Sequence, residues 1–252
     1  MLRASIMGKE HAPMEAAPQR LVGSMGSQYA SFRVPREYIP RMAGFDWNSV
    51  ARRVFIDPVT GLIALMSPSS EHERYAGGAD RLADRLGAAY GIRVLGLRST
   101  RWRRPGDPEN TGAEPDACYY LGETALAWDR ADREGLEALE AFEARTPPDL
   151  VIEVERSRGD GRKPGFYREV GAREMWRLDI GPDGRQMDIL DLQAPDGPAL
   201  LAASSVLPLC TPAFVLEALE PASRGRLAEL DALIARSAET PAPEDEGDFG
   251  MK

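Results

Sequence analysis

The chain is poor in the residues that build the commonest chemical sites: its 252 positions hold two cysteines and two histidines. Cys118 and Cys210 stand far apart and outside any C-x-x-C spacing, which argues against a disulfide framework and a cysteine zinc site. Packing is their simplest reading, because a free cysteine behaves as a small hydrophobe. With His11 close to the N-terminus and His72 as the other histidine, a histidine-rich metal site and a serine triad are disfavoured too. Any catalysis has to run on carboxylates and lysine. Long apolar runs are also missing: Leu62 to Met66 and Ala199 to Ala203 fall far below the roughly 20 residues that cross a bilayer, so no membrane association is expected. Lys9, Glu10, Pro13 and Glu15 interrupt the N-terminus before a secretory signal can form, which makes a cytoplasmic location the expectation.

A basic balance is the next absence. The formal net charge of -9 argues against indiscriminate nucleic-acid binding, which needs a basic surface. The charge is uneven, however, with Arg93, Arg98, Arg101, Arg103 and Arg104 crowded into one central segment and Glu244, Asp245, Glu246 and Asp248 near the C-terminus. A local basic face is compatible with that distribution. What is present is ordinary globular composition, 43% hydrophobic and 28% charged, enough for one real core. The organisation expected is a flexible leader over 1–34, an α/β domain over 35–220, a C-terminal helix over 221–238 and an acidic disordered tail over 239–252.

Periodicity supplies the elements. Val54 to Ile56 and Leu62 to Met66 flank a turn-rich Asp57-Pro-Val-Thr-Gly61 and predict a β-hairpin. Tyr75, Leu82, Leu86 and Ala89 space one buried helical face from Glu71 onward, with a serine available as N-cap. Strands are predicted over Ile92 to Trp102, Ala117 to Leu121, Leu150 to Glu155, Glu174 to Asp179 and Met187 to Leu192, with a last edge strand at Val206 to Leu209. Ala125 to Arg145 predicts a charged surface helix. Lys163 to Val170, Phe214 to Leu219 and Arg224 to Ser237 complete the helices, the last apolar at Leu227, Leu230 and Ile234.

The segment Leu150-Val-Ile-Glu-Val-Glu155 concentrates the chemistry. Side chains alternate along a strand, so Val151, Glu153 and Glu155 share one face. A lone glutamate in so apolar a strand is costly to bury, and a metal ion is one of the few partners that offset the cost; an exposed edge or an arginine pair are the alternatives. Asp116 follows a proline at the mouth of a strand, where it either aims at the same ion or caps a turn.

The order of several short pieces resembles the Uma-two family of candidate restriction endonucleases, within the PD-(D/E)XK nuclease superfamily. The pieces are Gly61-Leu-Ile-Ala-Leu-Met-Ser67-Pro68, Glu71-His72, Pro115-Asp116, Pro148-Asp149-Leu-Val-Ile-Glu153-Val154, Lys163 with Tyr167, and Glu174-Met-Trp176-Arg-Leu-Asp179. The resemblance covers about Trp47 to Leu219. It implies a restriction-endonuclease-like α/β core, a mixed central sheet flanked by helices, with an N-terminal β-hairpin and a C-terminal helix. It further implies Asp116 and Glu153 as ligands of Mg²⁺ (Mn²⁺ as a substitute), Lys163 as catalytic lysine and Glu71 as an auxiliary catalytic acid. Glu155, Tyr167 and His72 would support them. The partner implied is nucleic acid, DNA first, with Arg101, Arg103, Arg104, Arg156 and Arg158 as candidates for its backbone and a homodimer as the expected assembly.

The sequence departs from the superfamily pattern at one telling place. Lysine usually stands two residues after the strand glutamate, and here that position is Glu155. Lys163 on the following helix is the substitute, or else a surface lysine. Where the family commonly has a Ser-Pro pair, Arg156-Ser157-Arg158-Gly159 stands instead. Two rival readings follow: a catalytically silent domain of the same fold that binds nucleic acid or a protein, and an assembly protein dimerising through its C-terminal helix.

Overall fold

The computed structural model describes residues 19–22, 28–42, 44–109, 111–155, 161–181, 184–207 and 209–239. In chain order the first half comprises β1 (Gln19–Val22), β2 (Gln28–Arg33), α1 (Ile39–Met42), β3 (Arg53–Asp57), β4 (Leu62–Ser67), α2 (Ser70–Tyr90), β5 (Val94–Gly96) and β6 (Ala117–Leu121). The second half comprises α3 (Glu123–Glu134), α4 (Leu136–Glu143), β7 (Leu150–Glu155), α5 (Arg162–Val170), β8 (Glu174–Asp179), β9 (Gln186–Asp191), β10 (Ala199–Leu200), α6 (Pro212–Ser223) and α7 (Leu227–Glu239).

The strands form two sheets, β1-β2-β4-β3 and β10-β9-β8-β7-β6-β5. The larger is mixed, because β7 and β8 run parallel while every other neighbouring pair is antiparallel. The α/β architecture, the N-terminal hairpin β3–β4 and the C-terminal helix are therefore present as the sequence predicts. One face of the central sheet, with Ala117, Tyr119, Ile152, Val154, Trp176 and Ile189, packs with α2, α6 and α7. The other, with Cys118, Tyr120, Val151 and Met175, meets Phe55, Leu62 and Ala64 of the small sheet and Phe166 and Tyr167 of α5. The strand alternation that separates Val151 and Glu153 from Ile152 and Val154 thus sends Glu153 toward α5 and the hairpin.

Helix α2 opens where a serine can cap it: Ser69 Oγ accepts the His72 N–H at 3.2 Å. Its middle lies hard against α6, for a Cβ on Gly78 would stand 3.0 Å from the Ser223 backbone. That close approach fixes the N-terminal turn of α2 over the sheet, and the site is built there.

Several expectations fail, each for a local reason. The leader expected over 1–34 contributes two strands, with β2 paired to β4 from Gln28↔Ser67 to Arg33↔Leu62. Gln-Tyr-Ala-Ser-Phe-Arg has only Tyr29 and Phe32 as strand-favouring residues, and the ladder it joins completes its strand character. Ile92 to Trp102 yields only three strand residues, since Arg98 adopts a positive φ of 54° and turns the chain away. The helix expected from 125 to 145 is two helices, broken by Gly135 at φ 112°, and Ala89 is exposed rather than buried. Among the described residues Val206, Leu207 and Leu209 belong to no strand; the edge is β10, and Leu207 is core. No helix among the described residues is long and apolar enough to cross a membrane.

Candidate active site

Two Pro-Asp pairs bracket the β6–β7 ladder. Asp116 leads into β6 and Asp149 into β7, and because the strands are antiparallel the two aspartates stand at opposite ends. Each donates its own N–H to the partner strand, Asp116 to Ile152 O at 3.0 Å and Asp149 to Tyr119 O at 3.0 Å. Each carboxylate then accepts an N–H from the far end of the other strand: Asp116 Oδ2 from Val154 at 2.6 Å, Asp149 Oδ2 from Leu121 at 2.8 Å. Only the Asp116 end carries Glu153, since the register Ala117↔Ile152 extended by one residue sets Asp116 opposite it.

Five elements converge on that end. From β3, Arg53 places one guanidinium nitrogen on Asp116 Oδ1 and the other 3.7 Å from Glu73 on α2. His72, in the same first turn as Glu73, sets Nε2 3.1 Å from Asp116 Oδ2, while its buried Nδ1 takes no hydrogen bond and lies 3.6 Å from Glu73. Burial and then the Arg53 charge push the His72 pKa below its ordinary value, so the imidazole is neutral at pH 7.

Glu153 is 1% exposed and each of its oxygens has a donor on α5. Lys163 Nζ donates to Oε2 at 2.5 Å and the Tyr167 hydroxyl to Oε1 at 2.7 Å. Four residues make one helical turn, so the two donors share a face and grip both oxygens of one carboxylate. Glu155, two residues along the same strand face, lies 3.9 Å from Lys163. Burial pulls the Lys163 ammonium down, but the charges of Glu153 and Glu155 and the hydrogen bond outweigh it and hold the pKa above its usual value. This lysine is a fixed cation. Burial and the Glu153 charge raise Tyr167 well above the ordinary phenol range, which keeps it a donor.

Among the described residues the cluster brings two cations, Arg53 and Lys163, together with the carboxylates of Asp116, Glu153, Glu155 and Glu73. Among the described residues no group of three or more His, Cys, Asp or Glu side chains could hold a metal ion. Mg²⁺ does not require one: it keeps several waters and is commonly bound through one or two carboxylates together with substrate phosphate. The hard carboxylate oxygens of Asp116 and Glu153, set opposite each other on neighbouring strands, fit such an ion, provided that Arg53 leaves Asp116 Oδ1.

The expected phosphate contacts fare differently. Arg104 is committed to Asp57 at 2.8 Å and to Glu169, with its guanidinium 4.8 Å over the Phe166 ring. Arg101 is paired with Glu114 at 2.6 Å. Neither is the open basic contact expected, because acids close by in space, invisible in the local sequence, neutralise them. Arg103 is exposed. Arg156 and Arg158 lie outside the described residues. Glu71 is half-buried in the first turn of α2. Cys118 and Cys210 are buried, which raises both thiols to about 12 and leaves them unreactive.

Arg53 and Glu73 are the members of the cluster that sequence reasoning missed. A signal existed for Arg53: strand alternation puts it on the same face as Phe55, which packs toward α5. The family model described as "Putative restriction endonuclease", Uma2, matches residues 49–217. The chain belongs to the Uma2 family. The curated proteins and the solved structures give no match. The Uma2 match takes in every member of the cluster, from Arg53 to Tyr167, and stops before α7.

Proposed function

We propose that this Uma2 protein is a divalent-metal-dependent endonuclease hydrolysing nucleic-acid phosphodiester bonds, with DNA as its substrate. The observation that carries the reading is Glu153: a fully buried carboxylate in a core strand, held by a lysine and a tyrosine and set opposite a second buried carboxylate, Asp116. Asp116 and Glu153 would hold Mg²⁺ or Mn²⁺. The bound cation would polarise the scissile phosphoryl group and lower the pKa of a water. The protein's own groups do the rest. Lys163, kept protonated, cannot serve as base; it orients the attacking water and offsets charge that builds on the phosphoryl oxygens. Tyr167 fixes the Glu153 rotamer, and the Val154 N–H fixes Asp116.

A second reading is favoured by one observation, the guanidinium of Arg53 on Asp116: a silent domain of the same fold that binds nucleic acid or a protein. Mn²⁺ titration by calorimetry, run beside cleavage of plasmid and single-stranded DNA for the wild type and Glu153→Gln, separates the two. Binding and nicking that both vanish in the variant support the nuclease. A wild type that neither binds Mn²⁺ nor nicks DNA moves the assignment to the silent domain.

A further inference from the structure

We infer that Arg53 is an exchangeable counter-ion that occupies the cation position on Asp116 and has to turn toward Glu73 before a divalent ion can bind. The inference rests on the metal-dependent reading above and adds a control that the chain supplies itself. Asp116 is nearly buried and cannot turn away from an incoming or departing cation, because its Oδ2 is fixed by the Val154 N–H at 2.6 Å. Its Oδ1 therefore faces whatever cation the site holds, and in this structure that is the Arg53 guanidinium. A buried aspartate with no cation at all would be strongly unfavourable, so Arg53 lets the metal-free protein stay folded.

A second seat is already built. The other guanidinium nitrogen is 3.7 Å from Glu73 Oε1, too far for a hydrogen bond yet close enough for attraction. Glu73 is the rim member of the cluster, its side chain 48% exposed against 13% for Arg53. Arg53 is the first residue of β3, and although its side chain is only 13% exposed it has this second carboxylate to turn to. Lys163 has no such freedom: it shares Glu153 with Tyr167 and is drawn further in by Glu155. The two cations of the site are thus unlike, one resident and one exchangeable. Metal affinity is then set by competition with an internal cation, reduced in proportion to the fraction of molecules in which Arg53 sits on Asp116.

Mn²⁺ binding to the full-length chain, followed by calorimetry and by the rise in melting temperature on adding Mn²⁺, tests this without reference to activity. Arg53→Gln is expected to bind Mn²⁺ at least about tenfold more tightly than the wild type, since a charge a few ångströms from the ion is removed. Its metal-free form is expected to melt lower. Glu73→Gln, which abolishes the second seat, is expected to bind more weakly than the wild type. A merely structural arginine predicts the opposite sign, loss of affinity on removal. Wild type that binds Mn²⁺ while Arg53→Gln binds equally or less well overturns the inference and leaves the nuclease reading standing. No binding by the wild type, Arg53→Gln or Glu73→Gln overturns the metal-dependent reading itself, and this one with it. Should Arg53→Gln not fold, unchanged affinity in Glu73→Gln is enough to overturn the exchange.

Discussion

Glu153 and Glu174 are both buried glutamates on adjacent strands of one sheet, 1% and 0% exposed, yet they are held by opposite kinds of partner. Among the described residues Glu174 takes uncharged donors: Trp176 Nε1 at 2.7 Å, Ser204 Oγ, and Ser205 N and Oγ at 2.7 and 2.8 Å. It is a closed knot that ties the loop before α6 to β8. Glu153 takes a lysine and a tyrosine and stands beside a second carboxylate that carries an arginine. The two Pro-Asp ends of the β6–β7 ladder differ in degree: Asp149 meets one largely exposed arginine, Arg173, whereas Asp116 meets the mostly buried Arg53 and His72. Burial of a carboxylate does not mark function.

The sharpest way to break the comparison is to neutralise Glu153. Glu153→Gln is expected to abolish Mn²⁺ binding in calorimetry and to lower plasmid nicking by roughly three orders of magnitude, the scale of losing a main electrostatic group at a reacting centre. The corresponding Glu174→Gln is expected to leave both unchanged. If Glu174→Gln costs as much activity as Glu153→Gln, the distinction between the two glutamates collapses.

Next in size is the exchange between the two aspartates. Asp116→Ala and Asp149→Ala each strip the acceptor from a buried strand N–H, of Val154 and Leu121 respectively. Each should lower stability by about 1–3 kcal/mol in denaturant unfolding. Only Asp116→Ala should also remove Mn²⁺ binding. Equal loss of metal affinity in the two variants would show that it follows the ladder's stability and not the site.

Glu174→Ala, by contrast, is a stability experiment. It leaves the Trp176 indole and the Ser204 and Ser205 donors without their acceptor, for an expected loss of about 3 kcal/mol. Denaturant midpoints check it, and Mn²⁺ affinity of the surviving folded fraction should match the wild type.

How much of this was legible follows from the same contrast. Alternation in Leu150 to Glu155 was enough to put Glu153 and Glu155 on one face, and the Ser69 cap and apolar spacing were enough to set the start of α2. Lys163 and Tyr167 share a helical face by spacing alone, but their meeting with Glu153 depends on how α5 returns across the sheet after residues 156–160, which no local pattern encodes. Arg53, Arg101 and Arg104 show the other limit. In sequence Arg101 and Arg104 read as phosphate-facing cations and Arg53 belongs to no motif; in space Glu114 and Asp57 claim the first two and Asp116 the third. Ion pairs between residues 63, 13 and 47 positions apart are decided by tertiary packing, as is the strand that β2 makes out of the expected leader.

The smallest effect lies away from the site and bounds what a purely superficial carboxylate does. Glu220 on α6 accepts from Arg185 at 2.8 Å and Arg224 at 2.6 Å, and these hydrogen bonds, Arg185 first, lower its pKa from 4.5 to about 2. A carboxyl whose folded pKa is depressed contributes stability that is fully present above the unfolded value and disappears as pH falls through the folded one. The window is therefore about pH 4.5 down to about 2. Because Glu220 is partly exposed and both arginines are exposed, solvent screening reduces the contribution to about a few tenths of a kcal/mol, the scale of an exposed pair. Glu220→Gln should lower stability slightly at pH 7 and make unfolding less sensitive to pH within that window, with Mn²⁺ affinity unchanged. A pH-dependence in Glu220→Gln as steep as in the wild type would place the acid-labile carboxylates elsewhere, and the buried acids around Asp116 would then be the first to test.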